Sequence, residues 1–125
     1  MTRPSLVGRC ILIVEDEPLV ALYIIDALKK AGAIARMTHS LREAAVLVEA
    51  DDLSAAILDY RVGDSDSSLL AQRLKERGVP FLLYSGYTKF SGACSDAPRL
   101  PKPTTEAVLI ATLEGLLHQG VGPTA

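Results

Sequence analysis

Three short apolar runs constrain this chain more than any other feature: Cys10-Ile11-Leu12-Ile13-Val14, Ala55-Ala56-Ile57-Leu58 and Phe81-Leu82-Leu83-Tyr84. Side chains alternate between the two faces of a strand, so a strand covered on one face reads apolar, polar, apolar. These runs are apolar on both faces, the pattern of parallel strands buried between two layers of helices. Each run gives way to polar residues: Glu15 and Asp16 after the first, Asp59 after the second, Ser85 after the third. A shorter segment, Arg99-Leu100, leads to Lys102 before Pro103. Parallel strands exit along one edge of a sheet, so these five polar side chains are expected to converge there.

The intervening segments carry helical spacing. Pro18 suits a first helical turn, and Val20, Ile24, Ala27, Leu28 and Ala31 form one stripe that stops at Gly32. Residues 33 to 38 read as a weaker strand whose Arg36 suits a sheet edge. Ser40-Leu41-Arg42-Glu43 has capping-box spacing, and Leu41, Ala44, Ala45 and Val48 continue one face of a second helix. Residues 63 to 68 are expected to form a polar loop opening a third helix, with Leu70, Ala71 and Leu74 inside and Gly78 at its end. Glycine, serine and proline interrupt residues 85 to 98, which predicts a loop or at most a short fourth helix. Leu109, Leu113, Leu116 and Leu117 give a last helix to about His118. The expected layout is an extension over 1–9, one α/β domain over 10–118, and a flexible tail over 119–125.

Composition narrows the function. The chain has 125 residues, 49% of them apolar, enough for one core and no second domain. Thirteen basic and 15 acidic residues leave a formal charge of −2, so no global field draws it to nucleic acid or acidic lipid. No run approaches membrane-spanning length, and the N-terminus has no secretory hydrophobic segment. Cys10 and Cys94 are too few for a disulfide framework or thiolate metal site. A soluble protein of the reducing cytoplasm is expected.

The chemistry of the strand exits follows from charge. Glu15, Asp16 and Asp59 would repel and raise one another's pKa unless a cation sat between them. An all-oxygen set with room for water suits Mg²⁺. One carboxylate could then take a phosphoryl group as an acyl phosphate, with Lys102 balancing the charge and Ser85 donating to a phosphoryl oxygen. Taken singly, Glu15, Asp16 and Glu17 could equally be helix N-terminal charges. On charge alone, Asp16→Ala should leave the metal-free fold unchanged or slightly more stable. His39 and His118 read as surface residues. Tyr87 and Phe90 fit either an exposed partner surface or a fold-back over their own loop.

The ordered set Ile11-Leu12-Ile13-Val14-Glu15-Asp16-Glu17, Leu58-Asp59, Tyr84-Ser85-Gly86-Tyr87 and Leu100-Pro101-Lys102-Pro103 resembles a two-component response-regulator receiver domain over nearly the whole chain. The resemblance implies a flavodoxin-like (βα)5 doubly wound parallel sheet of strand order 2-1-3-4-5. It implies Asp59 as phosphoacceptor, Asp16 as direct Mg²⁺ ligand, Glu15 as ligand through water, and the Arg61 main-chain carbonyl as a further ligand. Ser85 becomes the switch hydroxyl and Lys102 the phosphate-pairing cation. The implied role is signal transduction: phosphorylation by a sensor histidine kinase switches a protein-binding surface, with catalysis confined to the domain's own phosphorylation and dephosphorylation. Pro80 to Tyr87 resembles the FATGUY-type subgroup linked to HWE or HisKA2 kinases.

Two departures stand out. Arg99 occupies the position where the family usually carries a swinging Tyr or Phe, and the fourth helix is poorly encoded. Readout by ordering of residues 86 to 98 is therefore expected in place of an aromatic flip. A competing reading is a metal-dependent phosphatase or phosphotransferase using Asp59 on outside substrates, but the second Asp usual in such enzymes is replaced by Arg61. A third is a degenerate receiver acting as a constitutive binding domain. With only residues 119–125 after the last helix, output is expected through a protein partner or through competition for phosphate.

Overall fold

The computed structural model describes residues 5–86 and 89–120, without the side chains of 119 and 120. Strand β1 (Cys10–Val14) leads into helix α1 (Pro18–Lys30), β2 (Ile34–Thr38) and α2 (Leu41–Leu47). Strand β3 (Ala55–Leu58) is followed by two short strands, β4 (Arg61–Val62) and β5 (Ser65–Asp66), and then by α3 (Ser68–Glu76). Strand β6 (Phe81–Ser85), a single 3-10 turn over Gly92–Cys94, β7 (Arg99–Pro101) and α4 (Glu106–Gly120) complete the fold.

The five longer strands form one parallel sheet in the order β2-β1-β3-β6-β7, which is the expected 2-1-3-4-5. Alternation along β1 shows why both faces had to be apolar. Ile11 and Ile13 pack with Ile24, Leu28, Leu109 and Leu113 on the α1 and α4 side. Leu12 and Val14 pack with Ala44, Val48, Leu70 and Leu74 on the α2 and α3 side. Each fully buried Leu or Ile contributes about 1.5–3 kcal/mol of transfer free energy, so the two layers lock the register of the strands between them.

The edge position expected for residues 33–38 is observed, and Arg36 there makes a bidentate pair with Asp52 at 2.9 and 2.7 Å. Half of the expected capping box forms. The Ser40 hydroxyl accepts from the Glu43 N–H at 3.2 Å, but the Ser40 N–H donates to Thr38 Oγ1 at 3.1 Å. The polar stretch after Asp59 is a small antiparallel hairpin, β4 against β5. Gly63 turns it with a φ of 61°, a conformation that glycine adopts without steric cost. Strands of two residues are too short to leave a periodic signature, which is why this stretch reads as a loop. Helix α4 runs two residues past His118. At the other end, Leu6 is buried within the core and its N–H donates to the Ala31 carbonyl at 2.8 Å, so part of the 1–9 segment packs against the domain.

Residues 89–98 are tied down at several points although only one turn of them is helical. Phe90 packs on Tyr60 with ring centroids 4.8 Å apart, and the Arg99 guanidinium lies 4.6 Å over the Phe90 ring. Lys75 pairs with Asp96 at 2.9 Å, and Cys94 is fully buried. Phe90 thus folds back over the domain, while Tyr87 lies outside the described residues.

Candidate functional site

The register of the sheet assembles the site. Val14 pairs with Leu58, and the Asp59 N–H donates to the Val14 carbonyl at 3.0 Å, so Asp59 and Glu15 emerge side by side. Ser85 ends β6 opposite Pro101, which brings Lys102 to the same edge one residue later. Glu15 is 2% exposed, Asp59 6% and Ser85 2%.

Lys102 closes the cluster. Its Nζ lies 2.9 Å from Glu15 Oε1, 2.9 Å from Asp59 Oδ2 and 3.4 Å from Glu17 Oε1. Buried charges are costly unless paired in this way. Burial pushes the Glu15 carboxyl up to about 7, against the hydrogen bond from Lys102 and with the help of the Asp59 charge. Burial alone would lower the Lys102 ammonium, but its hydrogen bonds to Glu15 and Asp59 outweigh that and hold it above its ordinary range. One lysine faces three carboxylates, an arrangement in which a cation could offset the acidic excess.

The donor set fits a hard divalent ion. Oxygen atoms of Glu15, Glu17 and Asp59 all lie within 4.8 Å of one another, with no nitrogen or sulfur ligand among them. From the sequence Glu17 reads only as a helix N-terminal charge. It stands at the N-cap of α1, where it makes no side-chain capping bond, and its carboxylate reaches the cluster instead. The three consecutive acids were the available signal; which of them turns inward depends on the chain direction at the strand exit. Asp16, by contrast, is not in the grouped set. It is exposed, and its Oδ2 accepts from the Gly63 N–H at 2.9 Å, bracing the hairpin that carries Arg61.

Sequence reasoning also missed the shell around Asp59. The buried Ser67 hydroxyl donates to the Asp59 carbonyl at 2.6 Å in place of capping α3, whose first N–H, that of Ser68, donates to Asp66 Oδ1 at 2.9 Å. Tyr60 shares a hydrogen bond of 2.9 Å with the Ser91 hydroxyl, and its own hydroxyl accepts from the Ser91 N–H at 3.3 Å. Thus the acceptor candidate and its neighbour are held through α3 and the segment that follows β6. His39 and His118 are exposed, away from these contacts, as expected.

Among the described residues no helix is long and apolar enough to cross a membrane. No model of a protein family matches the chain, and no curated protein matches it. Solved structures do. A sensor protein from Polaromonas sp. JS666 is 25% identical, with a TM-score of 0.79 over 90% of this chain and 98% of that one. A response regulator receiver protein from Sinorhizobium medicae WSM419 is 24% identical, with a TM-score of 0.81 over 90% and 97%. The receiver domain of a sensor histidine kinase from Pseudomonas aeruginosa PAO1, which has a magnesium ion coordinated in its active-site cleft, is 21% identical, with a TM-score of 0.79 over 90% and 99%. The strand order, the covered parallel sheet and these likenesses agree: the chain has the fold of the two-component response-regulator receiver domains.

Proposed function

We propose that this chain is a phosphoryl-accepting signalling module, with Asp59 as acceptor, Mg²⁺ as cofactor and a sensor histidine kinase as donor. The observation that carries the reading is the bridge Lys102 makes between Asp59 and Glu15 at the strand exits, 2.9 Å to each. It joins a carboxylate nucleophile, a cation able to follow an incoming phosphate, and an acidic neighbour for a divalent ion.

In the proposed step a carboxylate oxygen of Asp59 forms a bond to the phosphorus of a phosphohistidine. The phosphorus–nitrogen bond breaks, and its electron pair leaves on the imidazole, which is neutral once protonated. Lys102 shifts its hydrogen bond to the added phosphoryl oxygens, and the Ser85 hydroxyl donates to another. Glu15, Asp16, Asp59 and the Arg61 main-chain carbonyl are the proposed ligands, with Glu17 added by its distance to the cluster. The ion, when bound, would offset the negative charge that gathers as the phosphoryl group approaches Asp59.

The sequence from Pro80 to Tyr87 supports a donor of the HWE or HisKA2 type, and the activity is confined to the module's own phosphate. We place the working domain at residues 10–118 in the cytoplasm, with output through a protein partner. The test is incorporation of a labelled small phosphodonor with and without Mg²⁺, in the wild type and in Asp59→Asn. Mg²⁺-dependent label in the wild type alone is expected. Steady turnover of phosphate monoesters would replace this reading with a phosphatase.

A further inference from the structure

Tyr84 precedes Ser85 on β6, and strand alternation turns its ring to the opposite face of the sheet, into the core between β6, α1 and α4. There it meets the lysine of the site from behind. The Lys102 ammonium lies 5.8 Å from the Tyr84 ring centroid, within reach of the attraction between a cation and an aromatic face. The Tyr84 hydroxyl accepts a hydrogen bond from the Thr104 N–H at 3.2 Å. From α1, the Tyr23 hydroxyl donates to the Thr104 carbonyl at 2.6 Å. Both main-chain groups of Thr104 are therefore held by phenols, one from a strand and one from a helix. Thr105 then caps α4, its Oγ1 accepting from the Val108 N–H at 3.2 Å and its carbonyl from the Leu109 N–H at 3.0 Å.

The consequence falls on Lys102. Its side chain is a flexible four-carbon stem, and an ammonium is a point charge with no geometric preference of its own. Its position relative to Asp59 depends on where the main chain of residues 102–104 is fixed and on what attracts the ammonium. Thr104, gripped on both sides, fixes the first, and the Tyr84 ring, 5.8 Å from the ammonium, adds to the second. Neither tyrosine hydroxyl is needed merely to fill the core, since a phenyl ring would occupy the same volume.

We infer that Tyr84 and Tyr23 are positioning residues that hold the Lys102 ammonium at Asp59 by clamping the main chain of Thr104. This rests on the reading of Asp59 as phosphoacceptor, and it assigns the two phenols a share in the rate of phosphate acceptance.

The experiment uses the full chain with ¹⁵N-labelled lysine, as wild type, Tyr84→Phe, Tyr23→Phe and the double variant. In the wild type the Lys102 ammonium gives a protected resonance shifted by the Tyr84 ring. In the double variant that resonance broadens or moves to the position of the exposed lysines, while Mg²⁺ affinity stays near wild type and the melting temperature falls only by the few degrees that two lost hydrogen bonds cost. With a small phosphodonor, Tyr84→Phe slows acceptance about five- to tenfold, because a displaced catalytic group loses rate steeply with distance. In a Lys102→Ala background the same substitution costs nothing further. An unchanged Lys102 resonance in the double variant overturns the inference. So does an equal loss in the Lys102→Ala background, which would mark a general effect on the fold. If the wild type takes no phosphate, the reading of Asp59 fails, and the ammonium resonance still decides the role of the tyrosines.

Discussion

The hydroxyls of Tyr60 and Ser91 lie 2.9 Å apart, linking the residue beside the proposed acceptor to the start of the 3-10 turn between β6 and β7. Ser91 is held a second time through its carbonyl, which accepts from Ser68 Oγ at 3.2 Å. Tyr60→Phe keeps the ring contact with Phe90 and removes only the hydrogen bonds. The expected result is faster amide exchange across residues 91–98 and a loss of about 1 kcal/mol in urea unfolding. Exchange unchanged in that segment would mean that the Phe90 and Cys94 packing alone holds it.

Asp59→Asn preserves size and the main-chain bonds to Val14 and Ser67 while removing the anionic nucleophile. The variant is expected to fold and to gain no labile phosphate, as read by intact mass after treatment with a small phosphodonor. A labile phosphate on the variant would locate the acceptor elsewhere.

Removing Mg²⁺ should expose the strain between the acids. A chelator is expected to lower the melting temperature and stop phosphate uptake, and Asp16→Ala should weaken Mg²⁺ binding. On charge alone, Asp16→Ala is harmless or mildly stabilising without metal. The hydrogen bond from the Gly63 N–H reverses that expectation, since losing it costs about 1 kcal/mol, more than the relief of repulsion at an exposed site. Superimposable Mg²⁺ titrations of wild type and Asp16→Ala would remove Asp16 from the proposed ligand set.

Glu15 gives the metal-free protein a pH dependence of defined sign. Burial, opposed by Lys102 and reinforced by Asp59, raises its pKa from 4.5 to about 7 in the fold. The folded state therefore binds the proton more tightly than the unfolded chain, and stability falls as pH rises from 4.5 to about 7. The contribution of Lys102, whose own pKa is raised, is fully present throughout this window because it is lost only above 10.5. Glu15→Gln should flatten the slope and be more stable than wild type at neutral pH by on the order of 1 kcal/mol. Urea midpoints measured across the window decide it; parallel slopes would assign the dependence to another group.

Burial raises the Cys94 thiol to about 11 and also raises that of Cys10, so neither is a thiolate at neutral pH. Alkylation of the native protein is expected to be slow at both and rapid in urea. Fast labelling of native Cys94 would show that the segment around the 3-10 turn opens readily.

The sheet is legible in the residue pattern. Runs such as Ile11-Leu12-Ile13 and Leu82-Leu83 are apolar on both faces, and burial on both faces admits few arrangements besides parallel strands between helices. Because parallel strands exit at one edge, Glu15, Asp59, Ser85 and Lys102 were also gathered from sequence order alone. Which of Glu15, Asp16 and Glu17 face Lys102 emerges only in the folded chain. Those residues lie where the two-residue period of the strand gives way to the 3.6-residue period of the helix, and neither period predicts direction across the junction. Tyr60 with Ser91, and Tyr23 and Tyr84 with Thr104, likewise meet across long stretches of chain through single hydrogen bonds. Such contacts leave no repeating pattern in the sequence, because their partners are chosen by the packing of whole elements.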